Sequence, residues 1–334
     1  MSVADTARAY QLQQDPETKA VAAVMTQVPT ARIGEGDLLV RVTHSSVNYK
    51  DGLAATGTAP IARRYPLIGG IDAAGVVVEA AGSHQEGDHV VVTGFDLSEK
   101  HDGGYADYLR VPSDWAIRLP DGLTLEQSMT LGTAGVTAAL GIHQLEHNGL
   151  RPGDGPVAVT GASGGVGSLA VSMLARRGYE ITAFTGKTEQ HDELRRYGAT
   201  RVETRPDTDN VRALGSETWA GSMDSVGGQT LAWLASTTKR GGGIAAYGNA
   251  GGVKVATTVM PFILRGVNLL GINSGWFPQD VRRRLWERMA TDLKPEHLDQ
   301  IGHLVGFEDL PTVCREIVTG AVAGRTVVHI ADPG

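Results

Sequence analysis

The stretch from Val157 to Gly167, VAVTGASGGVG, constrains the fold more than any other part of the chain. Val157 to Thr160 is a short apolar run of the kind that makes a buried strand. After the glycines, Val166, Leu169, Ala170, Met173 and Leu174 recur at helical spacing and predict a helix to Arg177. Glycine at 161, 164, 165 and 167 permits a sharp turn and a close backbone approach, and the helix N-terminus behind it offers unpaired N–H groups to an anion. Strand, glycine turn and helix together open a dinucleotide-binding βαβ unit. The spacing is G-x-x-G-x-x-G rather than G-x-G-x-x-G, so the flanking elements carry the reading, and a purely structural glycine turn is its alternative.

The same letters also satisfy G-x-S-x-G, the nucleophile elbow of serine hydrolases, with Ser163 central. Asp224 with His297, His303 or His329 would supply the remaining members in chain order. The extra glycine step to Gly167, the long β-rich segment upstream and the lack of a His-Gly-Gly segment oppose this reading.

A second strand is predicted at Ile181 to Phe184, and the turn after it reads Thr185-Gly186-Lys187. About twenty residues past the glycine turn, an Asp or Glu would bond the adenine ribose of NAD and repel a phosphate. A hydroxyl, a glycine and a lysine at that place predict NADP(H) instead. The alternative is that Lys187 is an ordinary solvated lysine.

The 334 residues suggest two domains. Up to about residue 125 the chain reads as short strands between turns, with strands at 37–44, 74–80 and 89–93. From there the texture becomes helix and strand in alternation. A helix at 125–146, in two pieces around Gly132 to Gly135, precedes the glycine turn, and Glu189 to Tyr197 reads as a helix. Later strands are expected at 223–226, 244–247 and 269–272, and the final strand, 326–330, is expected to rejoin the first domain. The net charge of -7 argues against a nucleic-acid surface. With no apolar run long enough for a membrane span and no signal-peptide layout at the start, the reading is a cytoplasmic protein. Cys314 is the single cysteine, which leaves no disulfide and no four-cysteine zinc site. His143 and His147 stand at i, i+4 spacing without the H-E-x-x-H arrangement, and exposed helix histidines explain them. No metal is expected.

Several segments, taken in order, resemble the medium-chain dehydrogenase/reductase superfamily: Ser45 to Gly52, Gly69 to Asp72, Gly132 to Gly135, Val159 to Gly167, Asp224 to Gly228, and Thr257 to Arg265. Within it they are most similar to the zinc-free, quinone-oxidoreductase-like branch that includes NADPH-dependent acryloyl-CoA reductases. The resemblance implies an α/β protein: a GroES-like, β-rich catalytic domain from residues 1–125 and 285–334, and a Rossmann doubly wound parallel sheet from 126–284. It also implies a homodimer, no zinc, and an NADP site lined by Tyr49, Thr133, Ala162, Ser163, Gly164, Gly165, Val166, Gly167, Thr185, Gly186, Lys187, Arg201, Asn249, Ile263 and Ser274. Thr133 is equally readable as a cap on its own turn.

For such a protein the expected reaction is reduction of an activated C=C bond of a short enoyl-CoA or an enone, with hydrogen-bond donors in place of a metal. Asn48, Tyr49 and Asp51 are the catalytic candidates: Asn48 and Tyr49 to position nicotinamide and substrate, Asp51 to orient a neighbour or relay a proton. The plain alternative is that Asn48 and Asp51 hold a turn and Lys50 pairs with a surface acid. Arg63 and Arg64 are candidates for the phosphates of CoA, and Asp72 reads as structural. A quinone or enone reductase on the same fold, and a non-catalytic NADPH sensor, stand beside the enoyl-CoA reading.

Overall fold

The computed structural model describes residues 3–333, and the chain forms two compact units. The first takes the chain up to Thr133, then Gly275–Trp286, then the stretch from Leu298 onward; the second takes Ala134–Ser274 and Glu287–His297.

The first unit is built on a seven-stranded sheet with Gly302–Gly306, Arg325–His329, Leu38–Val47, Asp72–Glu79, His89–Thr93 and Ile117–Arg118 in spatial order, and Tyr108–Val111 paired beside Leu38–Val47. A three-stranded sheet of Val21–Pro29, Thr6–Gln14 and Leu67–Ile68 lies in the same unit. Their inner faces supply a continuous core that includes Leu12, Leu38, Val42, Val77, Leu109 and Val328, and the burial of such apolar surface is the main favourable term for folding. The last strand pairs antiparallel with Leu38–Val47, with Thr326 opposite Val47 and Val327 opposite Ser46. This register places residue 325 beside the end of the strand that leads into Asn48.

One pair in this sheet makes stability depend on pH. His44 is 9% exposed, and its ring lies 5.3 Å from that of His329, which is 3.3 Å from Asp332. Burial, and then the neighbouring His329, lower the His44 pKa from 6.5 to about 4, against a smaller opposite pull from Asp332. The unfolded chain therefore binds the extra proton between those values, so the contribution of neutral His44 is complete above pH 6.5 and lost as pH falls toward 4. The ceiling on this contribution is about 3 kcal/mol. Thermal unfolding of His44→Gln is expected to lose less stability between pH 7 and pH 4.5 than the parent, and equal losses would count against the assignment.

The second unit carries a six-stranded parallel sheet in the order Arg201–Glu203, Ile181–Phe184, Val157–Thr160, Trp219–Asp224, Thr238–Ala246 and Asn268–Gly271. Numbered along the chain this is 3-2-1-4-5-6, the doubly wound order whose ligands bind beyond the carboxyl ends of the strands. The helix Gly165–Arg176 follows the glycine turn as expected. Leu125–His147 is helical with a break at Gly132, where φ is 48° and ψ is -152°.

Three elements differ from expectation. The fourth strand runs Trp219–Asp224 because the Asp224 carboxylate accepts the N–H groups of Val226 and Gly227 and ends the strand there. The fifth begins at Thr238, since Gly241 to Gly243 continue it despite weak strand propensity. The helix expected at 189–197 is a 3-10 turn, Thr188–Gln190, followed by only His191–Arg196. No helix among the described residues is long and apolar enough to cross a membrane.

Candidate active site and nucleotide site

In the first unit the polar side chains converge on Asp72, which is fully buried. Its Oδ2 accepts from the Ser46 hydroxyl at 2.6 Å and the Asn48 amide at 2.8 Å, and its Oδ1 accepts from the Thr133 hydroxyl at 2.6 Å. The Thr133 N–H lies 3.0 Å from both oxygens. This last contact needs the break at Gly132: a Cβ there would meet Asp72 Oδ2 at 2.6 Å, Ser46 Oγ at 2.9 Å and Arg325 Nη2 at 3.1 Å. Only glycine fits both that space and that φ.

Asp51 opens the helix Tyr49–Thr56 and is 2% exposed. Its carboxylate accepts the Asn48 N–H at 2.9 Å, the Asn48 amide at 3.1 Å and the Ile71 N–H at 3.0 Å. Burial, and then the charge of Asp72, raise its pKa to about 7 against the pull of the Asn48 and Ile71 donors. The compensating cation is Arg325, buried at 3% exposure and brought in by the register of the last strand. Its guanidinium donates to Thr130 O at 2.9 Å, Asn48 Oδ1 at 3.0 Å, Ser46 Oγ at 2.9 Å and Val47 O at 3.3 Å. Burial lowers its pKa, and Asp72 and Asp51 counter that. Tyr105 completes the cluster by donating to Ser46 O at 3.0 Å.

In this network Asn48 and Asp51 are bonded to each other and to their neighbours. Both point into the network rather than outward, because Asn48 spends its amide on Asp51, Asp72 and Arg325; they hold the segment in place. Tyr49 is the outward group, 55% exposed. Lys50 pairs with Glu99 at 2.7 Å. Arg325 is the member of the network that the sequence reading does not include; a lone arginine opening the apolar run RTVVHI is the available signal.

In the second unit, Gly161 adopts φ of 60°, and the helix Gly165–Arg176 begins at Gly164 with no side chain capping it. Its first-turn N–H groups are thus open to an anion. Ala162 N–H bonds Phe184 O at 3.0 Å, tying the glycine turn to the end of the second strand. There the hydroxyls of Ser163 and Thr185 lie 2.7 Å apart, both buried, and the Lys187 N–H donates to Thr185 Oγ1 at 3.1 Å. Ser163 therefore has a hydroxyl where a hydrolase would need a histidine base. Val166 and Gly167 form the first turn of the helix.

The register sets Arg201 opposite Thr182, at the amino end of its strand and three residues short of Thr185. Arg205 is the arginine at the turn, since a Cβ on Gly186 would meet its Nε at 2.6 Å and its Cζ at 2.9 Å. Its signal was the offset: Arg205 follows the strand Arg201–Glu203 as Gly186 follows Ile181–Phe184. Ser225, also unselected, donates to Thr160 O at 2.8 Å beside the glycine turn. It adjoins the loop of Asn249, whose Cα a Cβ on Gly227 would meet at 3.2 Å. Ser274 accepts from the Thr137 hydroxyl at 2.6 Å. Ile263 is 72% exposed on the short helix Met260–Arg265. Arg63 and Arg64 are exposed on the first unit.

Among the described residues no group of three or more His, Cys, Asp or Glu side chains is placed to hold a metal ion. His143 and His147 line a cavity of about 310 Å³, where Glu146 is engaged by Arg177 at 3.1 Å and Arg288 at 2.9 Å.

Residues 34–121 match the family described as the alcohol dehydrogenase GroES-like domain, and residues 165–291 match that described as zinc-binding dehydrogenase. The acrylyl-CoA reductase AcuI of Ruegeria pomeroyi is 44% identical over 320 residues, 95% of this chain and 97% of that one. YhfP of Bacillus subtilis, named provisionally as a quinone oxidoreductase, is 45% identical over 96% of this chain and 98% of its own length. The YhfP crystal structure, with NAD bound, superposes with a TM-score of 0.94 over 98% of this chain and all of that one. The YhdH oxidoreductase of Salmonella enterica, in complex with NADP, is 40% identical with a TM-score of 0.94 over 97% of this chain and all of that one.

Proposed function

We propose, from the premise that this chain belongs to the medium-chain dehydrogenase/reductase superfamily, that it is an NADPH-dependent reductase of short enoyl-CoA thioesters, acryloyl-CoA to propionyl-CoA foremost. The observation that carries the cofactor is the turn at Thr185 to Lys187: two hydroxyls, a glycine without a side chain, a lysine, and Arg205 folded against that glycine. An acid is absent from the turn, and two cations adjoin it where a ribose phosphate would lie. The acceptor rests on the kinship with the Ruegeria acrylyl-CoA reductase.

The GroES-like unit would be the catalytic domain and the parallel-sheet unit the nucleotide domain. The turn from Ala162 to Gly167, with the open helix N-terminus, would hold the pyrophosphate, and Thr185, Gly186, Lys187 and Arg205 the adenosine phosphate. Asn249 and Ser274, beyond the carboxyl ends of the strands, and Ile263 would line the rest. Bound NADPH supplies a hydride to the β-carbon of the acceptor. This chain's part is to orient the thioester and to supply donors as charge grows on its oxygen. Tyr49 is the group available for contact with substrate or nicotinamide; Asn48, Asp51, Asp72, Thr133 and Arg325 position it. With its pKa near 7, Asp51 can hold or release a proton at working pH.

NADPH consumption measured in parallel with acryloyl-CoA, crotonoyl-CoA and a quinone tests the reading. Turnover should be highest on acryloyl-CoA; strong turnover of the quinone alone would overturn it in favour of the activity the name of YhfP suggests. Retained nucleotide binding without turnover of any acceptor would favour a sensor.

The protein would work as a homodimer in the cytoplasm. Asn268–Gly271 is the edge strand of the parallel sheet and, among the described residues, pairs with a strand on one side only. Leu269 on it is 49% exposed, and Val259, Ile263 and Leu264 nearby in sequence are also exposed. A second copy adding its own edge strand would cover them. Light scattering should give a dimer for the parent and a monomer for Leu269→Asp; a monomeric parent would overturn the assignment.

A further inference from the structure

The loop following the strand His89–Thr93 has an unusual backbone. Phe95, Asp96 and Ser98 all lie at positive φ, 55°, 61° and 62°, and none is glycine. Such conformations cost on the order of 1 kcal/mol or more each and concentrate at functional segments. The loop closes on one atom, Asp96 O, which accepts the N–H groups of Glu99, Lys100 and His101 at 2.9, 3.0 and 3.1 Å. From below it is held by Arg282, whose guanidinium lies 4.5 Å from the centre of the Phe95 ring.

Onto this loop the first unit gathers groups from three separate segments. Lys50 pairs with Glu99 at 2.7 Å. Arg64 donates to Lys100 O at 2.7 Å and lies 3.5 Å from Asp102, and the Arg63 N–H donates to Glu99 O at 2.7 Å. Trp276 donates its indole N–H to Asp96 at 3.1 Å, while Lys100 pairs with the other oxygen of that carboxylate at 2.9 Å. Lys50, Arg63, Arg64 and Lys100 thus meet Asp96, Glu99 and Asp102, a local positive excess on a chain whose net charge is -7. The Arg63 side chain is exposed, and no ion pair joins it to a described carboxylate. Trp276 is 55% exposed, and its ring is held at the surface by the N–H bond to Asp96 and by an edge-to-face contact with Phe95 at 5.8 Å.

We propose that this loop and Trp276 form the seat for the nucleotide end of the coenzyme A carrier, with adenine stacked on Trp276 and phosphates drawn by Arg63 and Lys100. An exposed aromatic side chain held in place beside exposed cations, of which Lys100 is paired only at the surface, is the chemistry that recognises a nucleotide carrying several phosphates. Lys50 follows Asn48 and Tyr49 directly in the chain, so the seat adjoins the segment assigned to the acyl end. Arg64 serves to hold the loop. The inference rests on the enoyl-CoA reading above.

The test compares acryloyl-CoA with acryloyl-N-acetylcysteamine, which keeps the thioester and lacks the nucleotide. The parent should prefer the CoA thioester in kcat/KM, and added salt should erode the preference. Arg63→Ala combined with Lys100→Ala, and separately Trp276→Ala, should each lower the ratio of the two kcat/KM values about tenfold, mainly through KM, with Trp276→Phe retaining most of it. A ratio that does not move, or equal losses on both thioesters, would overturn the seat while leaving the enoyl thioester reading intact. Turnover of neither thioester, with a quinone reduced, would overturn both.

Discussion

Replacing Arg325 by Met is expected to lower stability by about 4 kcal/mol, the range for leaving a buried charge uncompensated. In a unit of this size that is a fall in Tm of about 10 °C. The arginine donates to Asn48, Ser46, Val47 and Thr130, and its charge faces Asp51 and Asp72. The loss should depend on pH in a particular direction. The folded pKa of Asp51 is raised to about 7. The folded protein therefore holds a proton that the unfolded chain has released between about pH 4 and pH 7, and the stability this brings is lost as pH rises through 7. At pH 5 Asp51 is neutral; at pH 8 it is charged, and Arg325 faces that additional negative charge. Arg325→Met should therefore cost more stability at pH 8 than at pH 5, as denaturant titration at the two values would measure. Because Asn48 and the turn at Thr133 would also lose their support, kcat/KM should fall about a hundredfold, with NADPH binding little changed. A deficit independent of pH, or an undiminished rate, would count against this role for the arginine.

Removing Lys187 and Arg205 together should raise the KM for NADPH about a hundredfold while moving that for NADH about twofold or less, given about 1.5 kcal/mol for each charge-assisted contact at a partly exposed site. Steady-state kinetics with both cofactors checks it. The single variants matter as well. If Arg205→Ala alone separates the two cofactors and Arg201→Ala does not, the assignment by strand register stands; the reverse result would restore Arg201. The YhfP crystal structure holds NAD and that of YhdH holds NADP, so the kinetics of these variants, with both cofactors, are the measurement that decides.

The parts that were legible in the sequence depend on short-range pattern. The run VAVTGASGGVG specifies its strand, turn and helix within eleven residues, and Thr185 follows the second strand at a fixed offset. The helix break at Gly132 could be read from the small residues around it. What escaped depends on pairing between distant segments. Arg201 and Arg205 are near neighbours in sequence, and only the register of Arg201–Glu203 against Ile181–Phe184 tells which one reaches the turn. Arg325 is 277 residues from Asn48, and nothing local to either predicts the antiparallel pairing that joins them. Asp51 was visible as a carboxylate, but its raised pKa arises from burial and from Asp72, neither of which spacing reveals.

The dependence of Asn48 on residue 325 has a consequence for synthesis. Every strand of the parallel sheet is encoded by residue 271, whereas Asn48, which bonds the carboxylates at 51 and 72, lacks its guanidinium partner until residue 325 has been added. On the ribosome, the unit whose sequence begins first would therefore be the last to close. Until the final strand pairs with Leu38–Val47, its nascent polar centre must remain wet.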